Sequence, residues 1–406
     1  MKYLIILSCA LFLLQSCAET RSTVTITIAN PLSLERKNEI IEIDFTAIQQ
    51  KLSLQHNETI VVLNANGIEI PYQVLSDGKT LIFPTTVAPN GSAVYRIKVG
   101  TPKEFTPRTF GRFVPERLDD FAWENDRIAF RMFGQRAPGT PSSGVDMWLK
   151  RTENLIVDRW YEQHIAGTAS LHIDHGEGLD CYTVGFSLGV GGIAPFVDDI
   201  LWITGPYHRY RVIERGVLRT KFTLYYDEVI IGFPDGYCVP TPHRTLTAAI
   251  TISLDAGSQL NRASIVYSGE GADGMSVAPG LFLHPYDNIN ARNAPVAERR
   301  LLKEPGLIAM AADAISNYYV HSGRAFMGVI APTASEIIVH KGTCIPGDHL
   351  LLVGTHYAAQ PFVYHFGGGW DKWGFETDED WFAYMRDAQR KIENPLSVVS
   401  MTVVRR

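Results

Sequence analysis

Cysteine is scarce in this chain, five among 406 residues. Beyond residue 17 only Cys181, Cys238 and Cys344 remain. That is too few for a disulfide framework, and their spacing matches no zinc finger. Three buried, inert thiols are the expectation. Charge of one sign is also lacking. The formal net charge is -6, both signs are interspersed and no basic stripe is present, which excludes nucleic acid as a partner. After the first residues no apolar run is long enough for a transmembrane helix. Gly185-Phe186-Ser187-Leu188-Gly189 matches G-x-S-x-G, but no helical pattern follows it as a nucleophile elbow requires, which argues against a serine hydrolase of the α/β type. No glycine-rich loop joins a strand to a helix, so the phosphate cradle of dinucleotide binders and P-loop enzymes is absent. No fixed-period repeat occurs.

The short apolar run that does occur is at the start. Lys2 precedes Leu4–Leu14, followed by Gln15-Ser16-Cys17. The run suits the h-region of a secretory signal, and a small residue before cysteine is the bacterial lipoprotein pattern. Residues 1–17 are therefore expected to be a lipoprotein signal peptide. Cys17 would carry lipid and anchor the chain in the bacterial cell envelope, at the outer membrane on its periplasmic or surface face. An ordinary signal peptide with an incidental cysteine is the alternative.

The chain beyond Cys17 reads as mainly β. Thr23–Ile28 alternates polar and apolar residues, as a half-buried strand does. Ile40–Phe45, Thr59–Leu63, Thr80–Phe83 and Ala93–Val99 repeat the theme. Asn66-Gly67 and Asp77-Gly78 between them are hairpin signals. Residues 22–100 thus predict a small N-terminal β-sandwich. Pro102 and Pro107 mark a linker over 101–110. A larger β domain then occupies about 105–395, with strands over 127–133, 216–226, 245–254 and 263–268. Few helices are expected. The clearest starts at Thr377, with Asp380 completing a capping-box pattern. Trp381, Met385, Ala388 and Ile392 form its apolar face, and Pro395 ends it.

Chemistry concentrates in residues 171–192, LHIDHGEGLDCYTVGFSLGVGG. His172 and His175 flank Asp174, and Glu177, Asp180 and Tyr182 come next on a glycine-rich backbone. Such titratable density suits a proton-transfer site, although a solvated surface loop would read similarly. Zinc or calcium could be held by these histidines and acids, but no helical H-E-x-x-H pattern aligns the rings. Elsewhere, Arg117 could grip a carboxylate through its planar fork or serve a structural Arg–Asp pair. Trp123 is a sugar platform or core. In Tyr207-His208-Arg209-Tyr210, alternation would send Tyr207 and Arg209 to one face. His356, and Gly367-Gly368-Gly369 before Trp370, complete the candidates. The three glycines suggest backbone close to something flat, or a tight turn.

The run FVPERLDDFAWENDRIAFRMFG, then SSGVDMWLKR, HIDHGEGLDCYTVG, ISLDAGSQLNR and YHFGGGWDKWG, resembles a Bacteroidetes family labelled a domain of unknown function. Its members occur in polysaccharide-utilisation loci, and one branch includes an ulvan oligosaccharide dehydratase. The likeness runs in order from about residue 24 to 390. For fold it implies a large antiparallel β-sandwich, the supersandwich of galactose mutarotases and polysaccharide lyases. For activity it implies elimination of water from a terminal uronic acid to give a 4,5-unsaturated sugar. On that reading His172 and His175 are base and acid, assisted by Tyr182 or Tyr207. Arg117 binds the uronate carboxylate, Trp123 and Trp370 are platforms, and Glu177, Asp180 and His356 contact the sugar. No cofactor is required, though a structural divalent ion fits the composition.

Fold membership alone does not fix a reaction. A glycoside hydrolase or polysaccharide lyase on the same scaffold is the second reading, with Glu177 and Asp180, or Glu124 and Asp126, as the hydrolase carboxylates. A non-catalytic glycan-binding lipoprotein and a mutarotase are the others.

Overall fold

A computed structural model of the protein describes residues 22–137, 143–232, 243–284, 299–315, 321–342 and 347–404. The leader, Cys17, Cys238 and Cys344 lie outside these residues.

The N-terminal module is two packed sheets. Strands β1 (Thr23–Ala29), β3 (Ile60–Leu63), β4 (Glu69–Ile70) and β7 (Ser92–Val99) form one. Strands β2 (Arg36–Asp44), β5 (Gln73–Val74) and β6 (Thr80–Val87) form the other. The expected alternation is realised: Val24, Ile26 and Ile28 of β1 and Ile97 of its neighbour β7 are fully buried, with Ile43, Leu81 and Phe83 in the facing sheet. Two features differ from expectation. Phe45 begins a helix, α1 (Phe45–Leu52), because the Asp44 side chain accepts from the Ala47 N–H and caps it. The first sheet also takes a fifth strand, Ser397–Val404, antiparallel to β1. The module is thus closed by residues beyond those assigned to it.

After the linker the chain is again mainly β, in antiparallel sheets. An eight-stranded sheet, including Arg219–Ile231, Arg244–Asp255, Leu260–Ser268 and Phe362–Trp370, packs over two five-stranded sheets. One of the smaller sheets runs β8 (Thr109–Val114), β9 (Asp120–Asn125), β10 (Ile128–Met132), β11 (Asp146–Lys150) and β12 (Gly178–Asp180). This sheet carries most of the buried charge of the molecule's polar centre. The three glycines lie within Phe362–Trp370 rather than in a turn. A Cβ on Gly368 would fall 2.2 Å from the Met147 sulfur, so the strand is bare where the sheets meet.

The C-terminal helix forms as expected, α3 (Asp378–Glu393). Thr377 and Asp380 make the reciprocal capping box, and Trp381 and Met385 are buried on the large sheet. The remaining helix, α2 (Val157–Ile165), is unexpected. Its N-cap, Ile156, has no side-chain oxygen to offer. Instead Glu124 of β9 accepts from the Ile156 and Val157 N–H groups, each at 2.7 Å, and receives the Lys150 ammonium at 2.7 Å. A fully buried carboxylate from the sheet thus sets where α2 begins, and α2 lies over the outer face of β9–β12.

Candidate active site

Strand alternation sorts β9–β12 into two faces. Phe121, Trp123, Phe130, Met147, Leu149 and Leu179 point into the sandwich core. Ala122, Ala129 and Trp148 point outward, beneath Trp160 and Tyr161 of α2. Asp120, Arg131, Asp146 and Asp180 occupy that same outward register.

Their side chains are all buried, which is costly for charge unless it is compensated. Arg131 supplies the compensation. One of its terminal nitrogens lies 2.5 Å from Asp146 Oδ2 and 3.0 Å from Asp180 Oδ2, and the other 3.8 Å from Asp120 Oδ2. The guanidinium also sits over the Trp148 ring, 5.4 Å from its centroid. The Tyr161 hydroxyl donates to Asp120 and the Trp148 indole N–H donates to Asp146, both at 3.1 Å. One guanidinium among three carboxylates leaves excess negative charge. Burial, with Asp146 adding to it, pushes the Asp180 carboxyl well up, and burial likewise raises Asp120. Burial disfavours the charge on Arg131, but Asp146 and Asp180 hold it protonated.

His172 closes this cluster from the loop before β12. Its Nδ1 lies 3.0 Å from the Asp180 carbonyl and 3.3 Å from the Asp180 carboxylate. A carbonyl only accepts, so Nδ1 carries the proton and the lone pair of the neutral ring is on Nε2. The side chain is 18% exposed, at the boundary between cluster and solvent. Burial lowers its pKa, and Arg131 and Arg117 act in the same direction. The Asp180 carbonyl and Asp146 oppose the shift. His164, in the last turn of α2, meets His172 edge to face, with centroids 5.6 Å apart and planes at 88°. Its buried Nδ1 has no hydrogen-bond partner among the described residues.

Arg117 ends a 3-10 turn, Pro115–Arg117, and lies near enough to both rings to depress their basicity. Among the described residues it makes no ion pair. Leu118 and Asp119 after it both hold positive φ, 57° and 66°, a strained pair for side-chain-bearing residues. The turn is tied down by Arg136, which grips Asp119 at 2.5 and 2.7 Å and the Pro115 carbonyl at 2.5 Å. The Tyr207 hydroxyl also donates to the Asp119 carbonyl.

The structure corrects several expectations. Of the two histidines in the glycine-rich loop, only His172 turns inward. His175 is exposed, its Nε2 3.2 Å from the Ser170 carbonyl. Asp174 organises the turn, accepting from the N–H groups of Gly176 and Gly178 and pairing with Arg151 at 2.9 Å. Gly178 is required: its φ is 128°, and a Cβ there would fall 1.9 Å from the Leu149 carbonyl.

Tyr182 and Tyr207 belong to the sandwich core rather than to an open cleft, and burial pushes both hydroxyls far up. Trp123 is fully buried, its indole donating to Asn261 at 2.8 Å. Trp370 is equally enclosed and donates to the Ser322 carbonyl at 2.7 Å. Neither presents a face to a sugar. His356 is a core residue between the Tyr267 N–H and the Ala272 carbonyl. Asp180 lies behind His172, at 0% exposure, so it contacts the histidine ring rather than a substrate. Glu177 is at the rim. Despite partial burial, hydrogen bonds from Arg159 and Asn154 hold its carboxylate below the usual range. Asp126 pairs with Arg108. Cys181 is a free, buried thiol raised by burial, as expected. His164, Arg131, Asp146 and Tyr161 went unassigned in the sequence. Alternation around the charged positions 131 and 146 was the available signal.

Residues 28–398 match the family model of a domain of unknown function, DUF4861. The chain belongs to the DUF4861 family. A relative from Formosa agariphila, named uncharacterized protein P7, is 32% identical over 425 residues, covering 98% of this chain and 99% of its own. Two solved structures from Enterococcus faecalis resemble this DUF4861 chain. An alpha-mannosidase of strain V583 has a TM-score of 0.47 at 8% identity, covering 96% of this chain and 46% of that one. A protein in glycosyl hydrolase family 38 has a TM-score of 0.49 at 9% identity, covering 96% and 48%. The chain spans about half the length of these two solved proteins.

Proposed function

We propose that this protein removes water from the terminal uronic acid of an oligosaccharide, leaving a 4,5-unsaturated sugar. The observation that carries the reading is His172. Its ring is partly exposed, neutral near pH 7, fixed through Nδ1 by Asp180, and stands near Arg117, a guanidinium that makes no ion pair among the described residues. Nε2 takes the proton from C5. The C–H electron pair forms the C4–C5 double bond, the C4–O bond breaks, and the oxygen leaves as water once protonated. Arg117 holds the uronate carboxylate, on which charge builds as C5 loses its proton. No cofactor enters this scheme. The resemblance of the HIDHGEGLDCYTVG segment to a family containing an oligosaccharide dehydratase supports the same reading.

Incubation with saturated, uronate-terminated oligosaccharides tests it. The expected product is lighter by one water and absorbs in the ultraviolet as a conjugated uronate. Reducing sugar released without that absorbance would make the protein a hydrolase. Anomer exchange without mass change would make it a mutarotase, and binding without any product a glycan-binding protein. Each of these outcomes sinks the dehydratase reading.

For location, we propose lipid attachment at Cys17 and anchoring in the bacterial envelope, at the outer membrane. The motif before Cys17 supports this. Intact mass of the membrane-extracted protein should show a diacylglyceryl-modified Cys17 as first residue, and Cys17→Ala should release the chain from the membrane fraction.

A further inference from the structure

We infer that His164 and His172 act as a pair that holds one proton between them when a uronate is bound, with protonated His164 as the acid and His172 as the base. This deepens the dehydratase reading and rests on it for the chemistry, although the proton pair itself can be observed without turnover. The geometry is specific. The rings meet perpendicularly at 5.6 Å, and His164 Nδ1 is buried and has no hydrogen-bond partner among the described residues. His164 also stands in the last turn of α2, where the helix dipole favours a cation.

The surrounding charges explain why the proton is absent until substrate arrives. Tyr161 stands beside the pair on α2. Asp120, Arg131, Asp146 and Asp180 face it from the sheet, and Arg117 from its turn. Asp174, paired with Arg151, and His175 belong to the loop carrying His172. In the free protein, burial lowers the proton affinity of both rings, aided by the two guanidinium groups and, for His164, by the neighbouring His172. A uronate carboxylate on Arg117 cancels the nearest free positive charge and adds a negative one. One imidazolium then becomes favourable. Two do not, because like charges this close repel. Elimination needs this division: His172 accepts the C5 proton while His164 gives its proton to the departing C4 oxygen. The proton gained by His172 then passes to solvent or back to His164, and charge balances over the cycle.

The test is NMR titration of the full mature chain carrying 15N-labelled histidine, with and without saturating sodium glucuronate, and with glucose as the control lacking a carboxylate. Without sugar both rings should titrate below the ordinary value of about 6.5. With glucuronate the midpoint of one ring should rise by about one pH unit, roughly a tenfold gain in proton affinity, while its partner stays neutral. Glucose should do nothing. His172→Asn should raise the His164 midpoint in the free protein by removing a competing ring. Midpoints indifferent to glucuronate, or two rings that protonate together, would overturn the pair. If oligosaccharides are nevertheless dehydrated, the proposed function survives without it. Coupled protonation with no elimination of water would leave the pair standing and reject the dehydratase.

Discussion

The Tyr207 hydroxyl donates to the Asp119 carbonyl across 2.5 Å, joining the segment before Arg209–Arg215 to the strained turn that carries Arg117. A residue of the catalytic type by composition is thus a clamp by position. It holds one of two consecutive left-handed residues in place and so braces the turn that carries Arg117.

Tyr207→Phe should therefore weaken substrate binding more than turnover. The partly buried carbonyl loses its donor, at a cost of about 1 kcal/mol in stability. Michaelis–Menten analysis should show KM raised with kcat largely kept, and urea unfolding should report the stability loss. A collapse of kcat with unchanged KM would restore Tyr207 to the chemistry.

The two loop histidines should separate cleanly. His172→Asn should lower elimination by about 10²–10⁴-fold, as loss of a general base does. His175→Ala should run close to the wild-type rate, because its ring is exposed and bonded only to the Ser170 carbonyl. Initial rates of ultraviolet absorbance change on uronate-terminated oligosaccharides decide between them.

Dependence on pH stems from the lowered pKa of His172. The base works unprotonated, so activity is retained as pH falls to the ring's folded pKa and is lost below it. That limb of kcat/KM, which reports the free protein, should lie below about pH 6.5. In the bound complex kcat should also fall as pH rises through the midpoint of His164, because the acid works protonated and the bound carboxylate favours that proton. A kcat with no such basic limb would contradict a substrate-linked proton.

Glu124 and Lys150 are fully buried and paired at 2.7 Å. Glu124→Gln should destabilise the protein by about 3–5 kcal/mol, since it leaves an ammonium enclosed without its partner. It should also loosen α2 and with it the His164–His172 contact. Adding Lys150→Met should recover much of the stability but not the helix cap. Thermal unfolding of the single and double variants, with the histidine ring signals as the second readout, checks both halves.

Much of the architecture was legible along the chain because it is locally encoded. Alternation in Thr23–Ala29 marks a half-buried strand whatever it packs on, and Thr377 with Asp380 caps α3 within four residues. The same locality makes the gathering of titratable residues along 171–192 visible. What it could not decide was orientation. His172 and His175 are chemically equivalent in sequence, and only the turn built by Asp174 and Gly178 sends one ring to Asp180 and the other to solvent.

The residues that give the site its character meet across long separations. Glu124 caps a helix more than thirty positions away, and Arg131 reaches Asp180 across 49. Trp123 and Trp370 could be read as platforms because an indole suits a sugar face and a core equally, and their burial settles which. Backbone periodicity and capping act over a few residues, so the amino-acid order determines them directly. Desolvation and the pairing of buried charges depend on which strands become neighbours, so only the folded chain decides them.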